Sequence, residues 1–259
     1  PDGTGLVHYK QEYEKARKTL KNFNLDDNFY YWYRVKKEAQ IIEKLRNKKE
    51  SLNYIVAEFE KIDSPNNKIL FDIANFYKNS KKYEEAIKYY TKIIDTLNDY
   101  SETKSDLLYR RGGSYERVGK YKKADKDLLH ALKINPDDAY ILNYLSYSWL
   151  ERNYKIDQAI EMLETAYAIK KNDPYIIDSI GWAYYLINDY SKAEKFLRRA
   201  VELMPDDPIV NDHYGDILWM LNRKIQARYF WAIVLKMEDA EDNMIENINK
   251  KMIEGLKNS

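Results

Sequence analysis

Residues 211–216 read NDHYGD, which sets the carboxylates of Asp212 and Asp216 and the imidazole of His213 within little more than one helical turn. Such a set could bind a metal or move a proton. On a helix, however, neighbouring residues diverge by about 100°, so Asp212 and His213 point apart. A metal would need further ligands from adjoining elements. The remaining histidines, His8 and His130, lie far off in the chain. With no cysteine there is no disulfide, thiolate nucleophile or Cys metal site. No Gly-rich phosphate loop is present, and no Ser/His/Asp arrangement rises above what any sequence offers. The residues predict no metal, no cofactor and no enzyme.

A second chemistry is suggested by FYYWYRVKK at 29–37, where five aromatics run into three cations. That mixture can bind single-stranded nucleic acid by stacking and phosphate contacts. The same spacing fits a helix with Tyr and Trp packed inward, and Glu38 and Glu43 follow on that helix. The second reading is preferred, and no nucleic-acid partner is expected.

The bulk composition agrees. The 259 residues are 33% charged and 44% hydrophobic with a net charge of +1, so global charge calls for neither nucleic acid nor membrane. Residues 1–138 hold 28 Lys+Arg and 23 Asp+Glu, net +5; residues 139–259 hold 15 and 19, net −4. Six Pro and eight Gly are few, which favours helices over many short strands. No apolar run approaches the ~18 residues of a membrane span. The chain starts PDGTG, which reads as a processed or excised fragment whose signal peptide or lipid anchor would lie upstream.

The elements that position these residues repeat. From Gly181, an aromatic, Ala, Leu, Ala and Pro follow as Tyr184, Ala193, Leu197, Ala200 and Pro205. The same offsets from Gly112 give Tyr115, Ala124, Leu128, Ala131 and Pro136. From Gly215 they give Leu218, Ala227, Trp231 and Val234, and from Ala74 they give Tyr77, Ala86, Tyr90 and Ile93. Ser146 begins a fifth copy with Trp149, then Ala159, Leu163 and Ala166 one residue late. The small residues at 74, 112, 146, 181 and 215 are 38, 34, 35 and 34 residues apart. A Gly inside a helix gives up about 1 kcal/mol against Ala. The repeat supplies the reason: a small side chain lets two helices cross closely. Trp231, on a second helix, is expected in the core.

This pattern resembles the tetratricopeptide repeat (TPR) family, whose unit of about 34 residues is an antiparallel helix pair. The resemblance implies an all-α, right-handed superhelical solenoid of such pairs. It places units at 67–104, 105–138, 139–173, 174–207 and 208–237. The first has a longer exit loop (NDYSETKS), and the third has one extra residue in its turn (ERNYKID). Residues 1–66 hold N-terminal helices: one at 6–24, and a degenerate unit at 32–66 with Ala39 and Ser51 in the small positions. Residues 238–259 read as a capping helix, with Ile248, Met252 and Leu256 at helical spacing.

By the same resemblance, the first helix of each unit lines a concave groove. In the last three units the lining is Tyr140, Asn143, Tyr147 and Leu150; Tyr175, Asp178, Trp182 and Tyr185; Ile209, Asp212, Asp216 and Trp219. Asn143, Asp178 and Asp212 recur as evenly spaced acceptors flanked by aromatic faces, a pattern suited to an extended or helical peptide. The alternatives are aromatics packed between repeats and carboxylates that are solvated or capping. In the earlier units the lining is Lys68, Phe71, Asn75 and Lys78, then Asp106, Tyr109, Gly113 and Glu116. That set lacks the clamp of Lys, Asn and Arg with which some TPR co-chaperones hold acidic tails.

The function implied is a non-enzymatic adaptor or scaffold with a protein or peptide partner. A self-assembling scaffold is the alternative, and an RNA-associated TPR protein a more distant one. The last three units look like the C-terminal half of long bacterial TPR proteins, some of them envelope lipoproteins. That likeness points to the envelope, with the cytoplasm as the alternative, and docking of a protease or cell-wall enzyme is the narrower expectation.

Overall fold

A computed structural model describes residues 3–21 and 28–256. Among these there are fourteen α-helices and no strand. They form two compact units, residues 1–134 and 135–259.

The first unit holds α1 (Gly3–Lys21), α2 (Asn28–Leu45), α3 (Lys48–Phe59), α4 (Asn67–Asn79), α5 (Tyr83–Ile94), α6 (Glu102–Arg117) and α7 (Tyr121–Ile134). Residues 22–24, where the sequence extends the first helix, lie outside the described residues. Helices α2 and α3 pair over 28–59, and Ser51 donates its hydroxyl to the Ala39 carbonyl at 2.7 Å where they cross. Trp32 is buried, and its indole N–H donates to Asp72 at 2.9 Å. The aromatic segment at 29–37 is therefore divided: Trp32 packs inward, whereas Tyr30 and Tyr33 are exposed.

The second unit holds α8 (Ala139–Glu151), α9 (Ile156–Ile169), α10 (Pro174–Leu186), α11 (Tyr190–Leu203), α12 (Pro208–Met220), α13 (Lys224–Val234) and α14 (Asp242–Glu254). First helices α8, α10 and α12 lie side by side, and each pairs with the helix that follows it. Helix α14 packs on α13, and its Ile248 is fully buried. Residues 257–259, the end of the expected capping segment, lie outside the described residues.

Local signals set the helix ends. Asp138, Asp173 and Asp207 each accept hydrogen bonds from the N–H groups two and three residues on, satisfying donors that a helix start leaves orphaned. Pro174 and Pro208 occupy the first helical position, where a missing N–H does no harm. The turns inside the pairs α4–α5, α6–α7, α10–α11 and α12–α13 use a left-handed residue: Lys81, Gly119, Asn188 and Asn222 supply one apiece. The turn with the extra residue uses two, Asn153 and Lys155.

The small residues lie under the bulky residue of the partner helix. A Cβ on Gly181 would stand 2.8 Å from Leu197 Cδ2, and one on Gly112 would stand 2.9 Å from Leu128 Cγ. Leu128, Leu163, Leu197, Tyr90 and Trp231, the residues at this position in five pairs, are all completely buried. These pairs build the core, and their first helices carry the candidate site.

Candidate protein-interaction site

On the second unit the expected lining residues fall into two groups. Tyr140, Tyr175 and Ile209 are 47%, 58% and 42% exposed. They hold the same position on α8, α10 and α12, two residues after the capping aspartates. Tyr147, Trp182, Tyr185 and Trp219 are half-buried, and Leu150 is buried. Asn143 is half-buried, and its side-chain oxygen has no hydrogen-bond partner among the described residues.

The carboxylates face inward, against cations of the neighbouring helix. Asp178 is buried on α10 and lies 2.9 and 3.1 Å from Nδ1 of His213 on α12, with His213 also buried. Burial alone would push the His213 imidazole down. The negative charge and hydrogen bond of Asp178, joined by Asp212 and Asp216, outweigh burial and hold it above the usual 6.5. Trp182 is sandwiched between His213, at 4.1 Å and 12°, and Tyr185, at 4.6 Å and 10°. Its indole N–H donates to Glu151 at 3.0 Å.

One helix further on, Lys251 of α14 donates to Asp212 at 2.7 Å and to both Asp216 oxygens at 2.8 and 2.9 Å. Burial and the Asp212 charge push the Asp216 carboxyl up to about 6, although Lys251 pulls it down. The Trp231 indole also donates to Asp216, at 3.0 Å. Trp219 stacks on Trp231, with the cations of Lys224 and Arg228 near its ring. Gly255 (φ 72°) passes so close to Trp219 that no Cβ would fit.

The arrangement is a ladder between first helices. Asp178 pairs with a cation 35 residues on, and Asp212 and Asp216 pair with one 39 and 35 residues on. The first unit carries variants of it: Lys36 pairs with Asp72 at 2.7 Å, with the cation upstream of the acid, and Arg110 reaches the neutral amide of Asn75 at 3.5 Å. Sequence reasoning offered Asp178, Asp212 and Asp216 to a partner and considered His213 only as a metal ligand. The missed signal was a cation about one repeat downstream of each acid. Among the described residues no group of three or more His, Asp and Glu side chains could hold a metal.

A sequence profile of the tetratricopeptide repeat matches residues 10–239, so the chain belongs to the tetratricopeptide repeat family. The TPR repeat-containing protein PA4667 of Pseudomonas aeruginosa is 31% identical over 143 residues, which are 55% of this chain and 23% of that protein. The Lipoprotein NlpI homolog of Haemophilus influenzae is 26% identical over 147 residues, covering 56% of this chain and 42% of that protein. The chain therefore matches less than half the length of either relative. A tetratricopeptide repeat protein from Parabacteroides merdae shares the fold, with a TM-score of 0.63 at 15% identity over 86% of this chain and 85% of that one. Proteins of this family are typically non-catalytic adaptors that bind protein partners. No helix among the described residues is long and apolar enough to cross a membrane.

Proposed function

We propose that the chain is an adaptor that binds a protein or peptide partner across the first helices of its second unit. One observation carries this reading. Tyr140, Tyr175 and Ile209 are large apolar side chains, all exposed, in one register on three adjacent helices. Tyr147, Trp182, Tyr185 and Trp219 form the half-buried wall behind them. Asp178, Asp212 and Asp216 hold that wall in place through His213 and Lys251.

The narrower reading is an envelope adaptor that docks a protease or cell-wall enzyme. The likeness to the Haemophilus influenzae lipoprotein supports the envelope.

The test is an affinity capture with wild type beside Tyr140→Ser/Tyr175→Ser. Both substitutions are on exposed side chains, so helicity and melting should match wild type. A protein held by wild type and lost by the variant supports the site, and its compartment tests the envelope reading. Equal recovery on both baits overturns the site.

A further inference from the structure

The turns that lead into α8, α10, α12 and α14 all lie at one end of their helices, beside the exposed row. Residues 135–138, 170–173, 204–207 and 235–241 together hold eight carboxylates and three amines. The acids are Asp137, Asp138, Asp173, Asp206 and Asp207, with Glu238, Asp239 and Glu241 beyond α13. Asp137, Asp206, Glu238 and Asp239 are exposed. Each turn also carries the C-terminus of one helix and the N-terminus of the next, so the helix dipoles largely cancel and leave the side-chain charge to dominate. In each of the first three turns, an acidic cap stands two residues from an exposed apolar side chain: Asp138 and Tyr140, Asp173 and Tyr175, Asp207 and Ile209.

The occupant must therefore be cationic and must present apolar groups at the spacing of the helices. Packed helices stand about 8–10 Å apart. A polyproline II segment advances about 9.3 Å in three residues, within that range. A strand returns a side chain to the same face every two residues, about 6.7 Å, and misses it. A helix presents one every seven residues, about 10.5 Å, at the margin of that range. Aromatic rows are also the surfaces on which polyproline II segments dock with little entropy to lose.

We infer that this edge binds a basic, extended segment of a partner protein, with an apolar side chain at every third residue seated on Tyr140, Tyr175 and Ile209 and its cations facing the turn carboxylates. The inference rests on the adaptor reading and narrows it to a class of ligand.

A fluorescent peptide of five Lys-Pro-Leu repeats serves as the probe, read by anisotropy on the full chain. The controls are a peptide of the same composition with leucines clustered at one end, and a helix-forming peptide with Leu every seventh residue. The expected result is preference for the periodic extended peptide, weakened about tenfold by Tyr140→Ser/Tyr175→Ser, a loss typical of removing an interface anchor. Asp206→Lys/Asp239→Lys and added salt should each weaken it as well. Equal binding of the clustered control overturns the register. Preference for the helical peptide, still lost in the tyrosine variant, overturns the extended segment but keeps the adaptor site. If no peptide binds, and the captured partner is held equally by the tyrosine variant, both readings fall.

Discussion

The pairing of His213 with Asp178 makes a statement about stability and pH. Burial disfavours the imidazolium, yet three carboxylates around it raise its pKa above 6.5. A group whose pKa is raised by folding adds stability that is complete below its unfolded pKa. That stability fades as pH climbs through the folded value. The second unit should therefore lose resistance to heat as pH rises beyond 6.5. Asp216, raised to about 6, acts with the same sign in a lower window, between 3.8 and about 6. His213→Gln should lower the melting temperature at pH 6 and flatten the decline toward pH 8. Thermal circular dichroism at constant ionic strength reads both. A wild-type melting temperature that rises over this range would show His213 buried as the neutral imidazole. Only part of this was legible in NDHYGD: Asp212 and Asp216 stand there, but Asp178, which hydrogen-bonds His213, lies on another helix, 35 positions earlier.

At the scale of the helix pair the sequence was far more informative. Gly112, Gly181 and Gly215 marked the crossings because close packing leaves a constant chemical signature: a small residue, then a bulky one 16 positions on. In the structure that bulky residue covers the glycine, as Leu197 covers Gly181 at 2.8 Å from where a Cβ would stand. Gly181→Leu should consequently reduce stability by about 1–3 kcal/mol through overpacking, measured by urea unfolding. An unchanged midpoint would mean that Leu197 can move aside. The faces of the first helices were only half legible by the same logic. Position in the repeat told which residues lie on the first helices, and Tyr140 and Tyr175 are indeed exposed there. It did not tell which side chains turn toward the adjacent helix, because Asp178, Asp212 and Asp216 are drawn there by single cations rather than by the repeat.

Within each unit, ladder contacts join helices that are neighbours in the row: Lys36 to Asp72 in the first, and Asp178 to His213 in the second, where Lys251 of α14 extends the row to Asp212 and Asp216. A protein built this way should store its stability as nearest-neighbour terms. Lys251 is the sharpest test, because removing its charge leaves Asp212 and Asp216 facing each other with side chains only 15% and 6% exposed. Lys251→Met should cost about 3–5 kcal/mol, the penalty for stranding a buried partner. Adding Asp212→Asn removes one of the stranded charges, so the double variant should be more stable than the sum of the two losses, with a coupling of about 0.5–3 kcal/mol. Lys36, paired with Asp72 in the first unit, shares no partner with Lys251. Lys36→Met combined with Lys251→Met should therefore be additive to within about 0.5 kcal/mol. Urea unfolding of wild type, the three single variants and the two double variants supplies both comparisons. Strong coupling between Lys36 and Lys251 would contradict nearest-neighbour stability, since the two lysines have different partners. Absence of coupling between Lys251 and Asp212 would instead show that α14 is held by Ile248 and its other apolar contacts, with the ion cluster adding nothing.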